Sequence, residues 1–334
     1  MPRRQDRPAA PGTAPCATLG AEAEAYARQA FARNTRRAYG ADLAHFREWC
    51  VSQGRPWLPA APATLGDYLA AHAGTLRVST LRRRVAAIGR AHALAGQDLS
   101  PAARALARTV LAGIAAAHGS AKRQAAALTT AEVRAMVLAC DGTMQGIRDR
   151  ALLLLGYAGA LRRSELVGIR AGHLRRTVEG VEILIPRSKG DQAGEGERVG
   201  IPRGRRPETC PVRALERWLE VAPAGPHEPV FRKVTVVRGR GVTLREVAET
   251  RPLNPASVRL ILARRAAAAG LVGTSDEPIS PHGLRAGFVT EAYKAGVADE
   301  AIMAHTRHRD LRTMRRYVRR ARLVGDSPAG RLGL

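Results

Sequence analysis

A short polar segment, residues 118–124, divides this chain of 334 residues into two regions with different apolar patterns. Before it, apolar residues recur at helical spacing over residues 21–118, and Ser100-Pro101 is typical of a helix start. After it, helical patterns are interrupted by the alternation of apolar residues over 181–185, which is typical of a strand. The sequence therefore predicts a mainly α-helical protein with a small antiparallel β-sheet.

The same patterns predict the boundaries of the domains. Residues 1–20 are rich in Arg, Pro and Ala without an apolar core, so we expect a disordered arm and no secretory signal. Residues 21–118 are expected to form a helical domain, and residues 119–127 a linker. Residues 128–334 are expected to form a second domain that includes a C-terminal tail.

Several local elements can be predicted within these domains. Ser79 is expected to cap a helix that directs most of its arginines outward, and Thr130 is expected to cap the first helix of the second domain. A β-hairpin with Lys189 near its turn is predicted, whereas residues 230–252 follow no clear pattern. A final helix is predicted from Asp310 with this buried stripe: Leu311, Met314 and Val318.

The charge of the chain indicates a polyanionic partner. It contains 54 Lys and Arg against 29 Asp and Glu, a net charge of +25. DNA is favoured over a membrane, because no apolar run reaches the ~18 residues that a spanning helix needs. The arginines of the helical domain either solvate its surface or contact phosphates, and the overall charge favours contact. The candidate DNA-binding residues are Arg36, Arg37, Arg82, Arg83, Arg84, Lys122 and Arg123.

The cysteines argue against a metal site. All four, at positions 16, 50, 140 and 210, are far apart and match no zinc-binding spacing. Cys50 and Cys140 lie on predicted apolar helix faces, which indicates core positions in a reducing compartment. We therefore expect a cytoplasmic protein with no metal and no cofactor. The Ala- and Arg-rich composition suggests a bacterial, phage or plasmid source, and we expect the protein to be nucleoid-associated.

A few polar side chains have catalytic potential. Arg162 lies at the junction of two predicted helices, and His282 and Arg285 share one helix face. Tyr317 lies among arginines, so its phenol can meet a phosphate and serve as a nucleophile. Each feature also has an ordinary interpretation, as a surface pair on a helix or a tyrosine at the edge of the core.

Taken in chain order, these side chains resemble the Arg…Lys…His-x-x-Arg…His…Tyr set of the tyrosine recombinase (phage integrase) family. Residues 159–166 resemble the first arginine box and residues 280–285 the second. His308 precedes Tyr317 by nine positions, as in the third box. The candidate catalytic residues are therefore Arg162, Lys189, His282, Arg285, His308 and Tyr317.

One position departs from the family pattern. Arg307 stands where the family usually has Gly before the histidine of the third box. His305 is a competing candidate, but it lies twelve positions before Tyr317 and fits the spacing less well. We assign the role of the third-box histidine, which would be a further hydrogen-bond donor to the phosphate, to His308. We expect Arg307 to alter the local turn or to add a phosphate contact.

The chemistry that the resemblance implies suits these residue types. An arginine can place two N–H donors on one phosphate. Tyr317 would attack a phosphorus held by Arg162 and Arg285, giving a 3′-phosphotyrosyl link and a free 5′-hydroxyl without metal or ATP. His282 would assist as a base, and Lys189 would protonate the leaving 5′-oxygen.

The resemblance also implies an architecture and partners. The fold would be a two-domain C-shaped clamp, with a helical core-binding domain and a mixed α/β catalytic domain. The partner would be double-stranded DNA with inverted half-sites, bound by a homodimer on one site and a homotetramer in the synapse. Two alternatives stay open: a type IB-like topoisomerase, and a DNA-binding accessory protein of the same fold with weak catalysis.

Overall fold

The computed structural model describes residues 33–119, 124–186, 196–238 and 244–321, together with the isolated positions 22 and 332. The chain forms two compact units, Met1–Lys122 and Arg123–Leu334. The predicted N-terminal arm lies outside the described residues, as do Lys122 and Arg123. The expected mainly helical fold with small antiparallel sheets is confirmed.

The N-terminal unit is helical throughout its described part. Helix α1 packs against α3, and α2 packs against α4, around a single apolar core. Tyr68, Phe46 and Leu81 are fully buried in this core, and so is Cys50, as predicted. The helices are α1 (Arg33–Ser52), α2 (Pro62–Ala71), α3 (Val78–Leu94) and α4 (Pro101–His118).

Two predicted helix caps in this unit have different outcomes. Ser100 is confirmed as a cap, because its side-chain oxygen accepts a hydrogen bond from the backbone N–H of Ala103 at 3.1 Å. The prediction for Ser79 is wrong, because α3 already begins at Val78. Ser79 therefore lies inside the first turn, where its side chain caps nothing.

The outward direction predicted for Arg84 is also wrong. Its side chain donates hydrogen bonds to Tyr68 Oη at 2.7 Å and to His45 Nδ1 at 2.8 Å, and the residue is only 8% exposed. Its Nε lies 3.6 Å from the buried carboxylate of Asp42. A buried carboxylate needs a cation beside it, so Arg84 is withdrawn from the surface. Arg83 also binds Asp42, through two hydrogen bonds, but remains exposed.

The C-terminal unit combines helices with two antiparallel sheets around a second core. Thr129, one residue before the predicted cap, caps its first helix in a reciprocal pair with Glu132. Cys140 is buried as predicted. The helices are α5 (Thr130–Leu138), α6 (Met144–Ala158), α7 (Arg163–Gly168), α8 (Pro211–Val221), α9 (Pro255–Ala268), α10 (Pro281–Lys294), α11 (Asp299–Thr306) and α12 (Leu311–Ala321).

The first sheet confirms the strand pattern. Strands β1 (Leu174–Arg176), β2 (Gly180–Ile185) and β3 (Glu197–Pro202) are antiparallel in that order, with Ile183 opposite Val199. Alternate residues of β2 and β3 are buried, as expected for a sheet with one covered face. Lys189, predicted near the turn between β2 and β3, lies outside the described residues.

The stretch without a clear pattern forms a second hairpin. Strands β4 (Arg232–Arg238) and β5 (Leu244–Pro252) pair in an antiparallel arrangement. Val236 and Val237 are both about half exposed, so burial does not alternate cleanly along β4. This explains why the sequence gives no strand signal there.

Helix α10 is held at the centre of the unit by close backbone contacts. The N–H of Leu128 donates to the carbonyl of Gly283 at 3.1 Å, and the N–H of Ala126 donates to Pro278 at 3.2 Å. A Cβ atom at Gly287 would overlap the carbonyl oxygen of Leu128, so only glycine lets this segment approach the helix. The result is a fixed position for the side chains on the first turns of α10.

The end of the described chain packs on the other side of α10. Val289, Ile302, Met314 and Val318 form a small core between α10, α11 and α12. Met314 and Val318 are buried as predicted, whereas Leu311 is 37% exposed and is not part of the stripe. Among the described residues, no helix is both long and apolar enough to span a membrane.

Candidate active site

The hydroxyl of Tyr317, on α12, meets the imidazole of His282, on α10. Tyr317 Oη and His282 Nε2 are 2.6 Å apart. Burial lowers the pKa of His282, and the cations of Arg285 and Arg162 lower it further. Burial raises the pKa of Tyr317, although the same two arginines oppose this. A neutral imidazole therefore faces a protonated phenol, which is the pairing that a general base needs.

Arg285 is a buried cation with spare hydrogen-bonding capacity. It is 1% exposed, and its Nη1 donates to the carbonyl of Ala160 at 2.8 Å. Its Nη2 has no hydrogen-bond partner among the described residues. Burial, with the nearby cations of Arg162 and Arg307, lowers its pKa to about 9, so it stays charged at neutral pH. An unpaired buried guanidinium is costly, and an anion in this pocket would relieve that cost.

Arg162 is oriented by the carboxylate of Glu165 at the start of α7. Its Nη1 donates to Oε1 at 2.6 Å, and its backbone N–H donates to Oε2 at 2.9 Å. Burial alone would raise the pKa of Glu165, but these hydrogen bonds and the cations of Arg307 and Arg162 hold it below the ordinary value. The carboxylate is thus ionised and fixes the arginine, whose side chain keeps 25% of its surface exposed.

His308 lies beside this pair of arginines. Its ring centroid is 6.0 Å from that of Tyr317, and its Nδ1 is 2.7 Å from Thr306 Oγ1. Burial and the cations of Arg285 and Arg162 lower its pKa to about 3, so it is neutral at pH 7. The hydroxyl of Thr306 donates to the carbonyl of Ile302 at 2.6 Å. Its oxygen is then the acceptor, which places the imidazole proton on Nδ1.

The two neighbours of this histidine have other partners. His305 stacks on Phe288 with centroids 4.7 Å apart, and its Nε2 lies 2.8 Å from the carbonyl of Ala158. Arg307 does alter the turn, since it ends α11 with a left-handed backbone (φ 58°, ψ 45°). Its side chain is buried and pairs with Glu165 at 3.0 Å, so it is not available as a surface contact for phosphate.

The structure brings five of the candidate residues close together. Tyr317 contacts His282 and lies near His308, and, besides burial, the cations of Arg162 and Arg285 lower the pKa of both histidines. Lys189 lies outside the described residues. In the N-terminal unit, Arg36, Arg37 and Arg82 are exposed. No group of three His, Cys, Asp or Glu side chains in the described part of the chain is arranged to hold a metal ion.

The sequence patterns missed the part that Arg307 plays at this site. It contacts Glu165 across 142 positions, so no local pattern signals the pair. The one available signal was an arginine next to His308, at a position where the family pattern has Gly.

Known proteins resemble this chain over most of its length. The sequence profile of the phage integrase family matches residues 126–322. An integrase/recombinase XerD homolog of Selenomonas ruminantium is 34% identical over 304 residues, covering 90% of this chain and 86% of that protein. The recombinase Cre of Escherichia phage P1 is 26% identical over 204 residues, covering 58% of this chain and 57% of that protein.

A solved structure has the same fold. The Tn1549 transposon integrase, determined in complex with transposon right end DNA, superposes with a TM-score of 0.58. The match covers 93% of this chain and 97% of that one at 16% sequence identity.

Proposed function

Because this chain belongs to the phage integrase family of tyrosine recombinases, we propose that it is a site-specific DNA recombinase that uses Tyr317 as its nucleophile. The assignment of the site depends mainly on the buried Arg285, which lies beside the Tyr317–His282 pair and whose Nη2 has no hydrogen-bond partner in the described part of the chain. A backbone phosphate supplies the missing acceptor and is also the target of the phenol.

The cleavage step uses these groups in order. Tyr317 Oη attacks phosphorus while its proton passes to Nε2 of His282. The bond from phosphorus to the 5′-oxygen breaks, and the DNA keeps a 3′-phosphotyrosyl link. The leaving oxygen takes a proton from a general acid, for which Lys189 is the candidate, and becomes a free 5′-hydroxyl. Attack by the 5′-hydroxyl of another strand reverses the sequence and frees Tyr317.

Cations of the pocket stabilise the transition state. Negative charge builds up on the non-bridging oxygens, and Arg162 and Arg285 place fixed donors next to it. His308 needs a proton on Nε2 to donate in the same way, and a bound phosphate favours this by raising its pKa. The guanidinium groups take the place of a metal ion, and the phosphotyrosyl bond conserves the energy of the broken phosphodiester, so the reaction needs no metal ion and no ATP.

DNA binding relies on both units. The exposed Arg36, Arg37 and Arg82 of the N-terminal unit are candidates for phosphate contacts. Lys122 and Arg123 are two further candidates. With six to ten phosphate contacts, affinity falls about 10³–10⁵-fold between 50 and 200 mM salt. We further propose a dimer on inverted half-sites and a tetramer in the synapse, acting in the cytoplasm where bacterial and phage DNA is found.

The assignment can be tested with a suicide substrate. The inactive Tyr317→Phe protein first selects its site from a randomised duplex library. Wild-type protein is then incubated with that site, nicked so that cleavage releases a short strand and cannot be reversed. We expect a covalent adduct on denaturing gels, absent in Tyr317→Phe and retained in the control Tyr293→Phe. Tight binding with no adduct would instead support an accessory protein, and relaxation of supercoiled DNA of unrelated sequence would support a topoisomerase.

A further inference from the structure

Arg307 occupies a position that its backbone alone disfavours. It is 7% exposed and adopts the left-handed conformation, with φ 58°, immediately before His308. Residues other than glycine rarely adopt this conformation, because Cβ crowds the backbone. Contacts of the side chain must therefore hold Arg307 in place.

Arg307 shares a hydrogen-bond acceptor with each of the two active-site arginines, Arg162 and Arg285. Nη2 of Arg307 donates to Glu165 Oε2 at 3.0 Å, while Arg162 donates to Oε1 of the same carboxylate at 2.6 Å. The carbonyl of Ala160 accepts from Arg285 at 2.8 Å and from Arg307 at 3.5 Å. Ala160 itself has a positive φ of 44°, so the backbone that carries this carbonyl is also constrained.

A further contact connects Arg307 to the sheet. Its Nη1 donates to the carbonyl of His305 at 2.9 Å, and its Nε lies 3.9 Å from Glu197 Oε2, at the start of β3. Neither Nε of Arg307 nor Oε2 of Glu197 has a hydrogen-bond partner among the described residues. One guanidinium thus contacts α7, the end of α11 and β3 at once.

Stability alone is a poor reason for this arrangement. Burying a charge is costly, and a buried ion pair is often no more stabilising than apolar side chains of the same volume. A planar fork with several donors is, however, well suited to fixing the relative positions of its partners. Two of the partners of Arg307, the Glu165 carboxylate and the Ala160 carbonyl, each also bind an arginine of the proposed phosphate site.

We propose that Arg307 is a positioning residue, which orients Arg162 through Glu165 and Arg285 through the carbonyl of Ala160 without contacting the DNA. The effect on DNA cleavage that follows from this inference rests on the proposed function. The residues that orient metal ligands change affinity or activity by about 10- to 100-fold, and we expect an effect of similar size here.

The test compares Arg307→Gln and Arg307→Lys with wild type on the nicked duplex, under single turnover with saturating protein. Both variants keep the backbone strain, and Arg217→Gln is the control because Arg217 is an exposed arginine paired with Glu220. We expect Arg307→Gln to cleave about 10- to 100-fold more slowly with DNA affinity within about threefold of wild type. Arg307→Lys, which keeps the charge but not the fork, should recover only part of the rate.

A wild-type cleavage rate in folded Arg307→Gln would overturn the inference, because a residue that only supports the fold leaves the rate unchanged well below the unfolding midpoint. If Arg307→Gln does not fold, Arg307→Gly, which has no positive-φ strain, serves as the same test.

A readout without catalysis separates this inference from the proposed function. The dissociation constant of pyrophosphate is measured by calorimetry for wild type, Arg285→Gln, Arg307→Gln and Arg217→Gln. If wild type forms no DNA adduct, the proposed function fails, yet weaker pyrophosphate binding in both Arg285→Gln and Arg307→Gln still supports the positioning role. Unchanged binding in Arg307→Gln would overturn it.

Discussion

The hydroxyl oxygen of Tyr317 lies 2.6 Å from Nε2 of His282, although 35 positions separate the two residues in the chain. The contact joins the second helical turn of α12 to the start of α10, and the small core of Val289, Ile302 and Met314 holds these helices together. Because the phenol is protonated and the imidazole is neutral, Tyr317 donates to His282. A proton acceptor is thus in place before any phosphate arrives.

Replacing His282 should slow cleavage without preventing binding. We expect His282→Ala to lower the single-turnover cleavage rate by about 10²–10⁴-fold, the usual contribution of a general base, with DNA affinity little changed. His305→Ala is the matched control: its imidazole contacts Phe288 and the carbonyl of Ala158, so it should lower the melting temperature but not the rate. Equal loss of rate in both variants would contradict the role given to His282.

An anion should stabilise the C-terminal unit through Arg285. Among the described residues, Nη2 of Arg285 has no partner, and pyrophosphate can bind it in the folded state only. The ligand should therefore raise the free energy of unfolding by about 2.7 kcal/mol at 100 times its Kd. Arg285→Gln should lose this gain and keep only the general effect of salt on folding. Thermal unfolding at rising pyrophosphate measures both, and equal stabilisation of the two proteins would place the anion elsewhere.

Acid should destabilise the protein through His308. Its folded pKa, about 3, lies below the ordinary value of 6.5, so the unfolded state takes up a proton first as pH falls. The contribution of His308 to the free energy of unfolding therefore has its full value above pH 6.5. It falls by up to about 1.4 kcal/mol per pH unit as the pH drops from 6.5 to 3.

Denaturant unfolding at pH 7, 6 and 5 measures this slope for wild type and His308→Asn. The variant should show a shallower slope, since it lacks one of the titrating groups. Nitrogen-15 spectra of wild type should also place the imidazole proton on Nδ1 at pH 7. A slope that is unchanged in His308→Asn would contradict the buried, neutral state of this histidine.

The two neighbouring arginines Arg82 and Arg84 should behave differently. Arg84→Met leaves the buried Asp42 with Arg83 alone, so we expect a loss of about 3 kcal/mol in the free energy of unfolding. Arg82→Ala, on the exposed side of α3, should change stability by less than about 0.5 kcal/mol. If Arg82 contacts a phosphate, its removal should lower the salt slope of DNA binding by about one. A large loss of stability in Arg82→Ala would contradict the exposed position given to Arg82.

Local patterns predicted the elements whose signal is contained in a few consecutive residues. The cap at Ser100, the alternation in β2 and the buried Met314 and Val318 all follow from helix or strand periodicity. The hairpin of β4 and β5 was missed because Val236 and Val237 are adjacent and both partly exposed, which hides the period of two.

Long-range polar pairs could not be predicted from such patterns. Arg84 was expected at the surface because helix periodicity does not reveal that Asp42, on α1, is buried and needs a cation. The contact between Arg307 and Glu165 has the same origin, since only the folded chain brings them together. The motif predicted the five described side chains that lie close together at the site, and the structure added the acceptors that orient the two arginines.

The most direct measurement is the identity of the atoms joined in the DNA adduct. The adduct trapped on a nicked duplex is digested with nuclease and protease, and the modified peptide is sequenced by mass spectrometry. The account predicts a single phosphodiester between the 3′ end of the cleaved strand and Tyr317. Attachment through any other residue, or through a 5′ end, would contradict it.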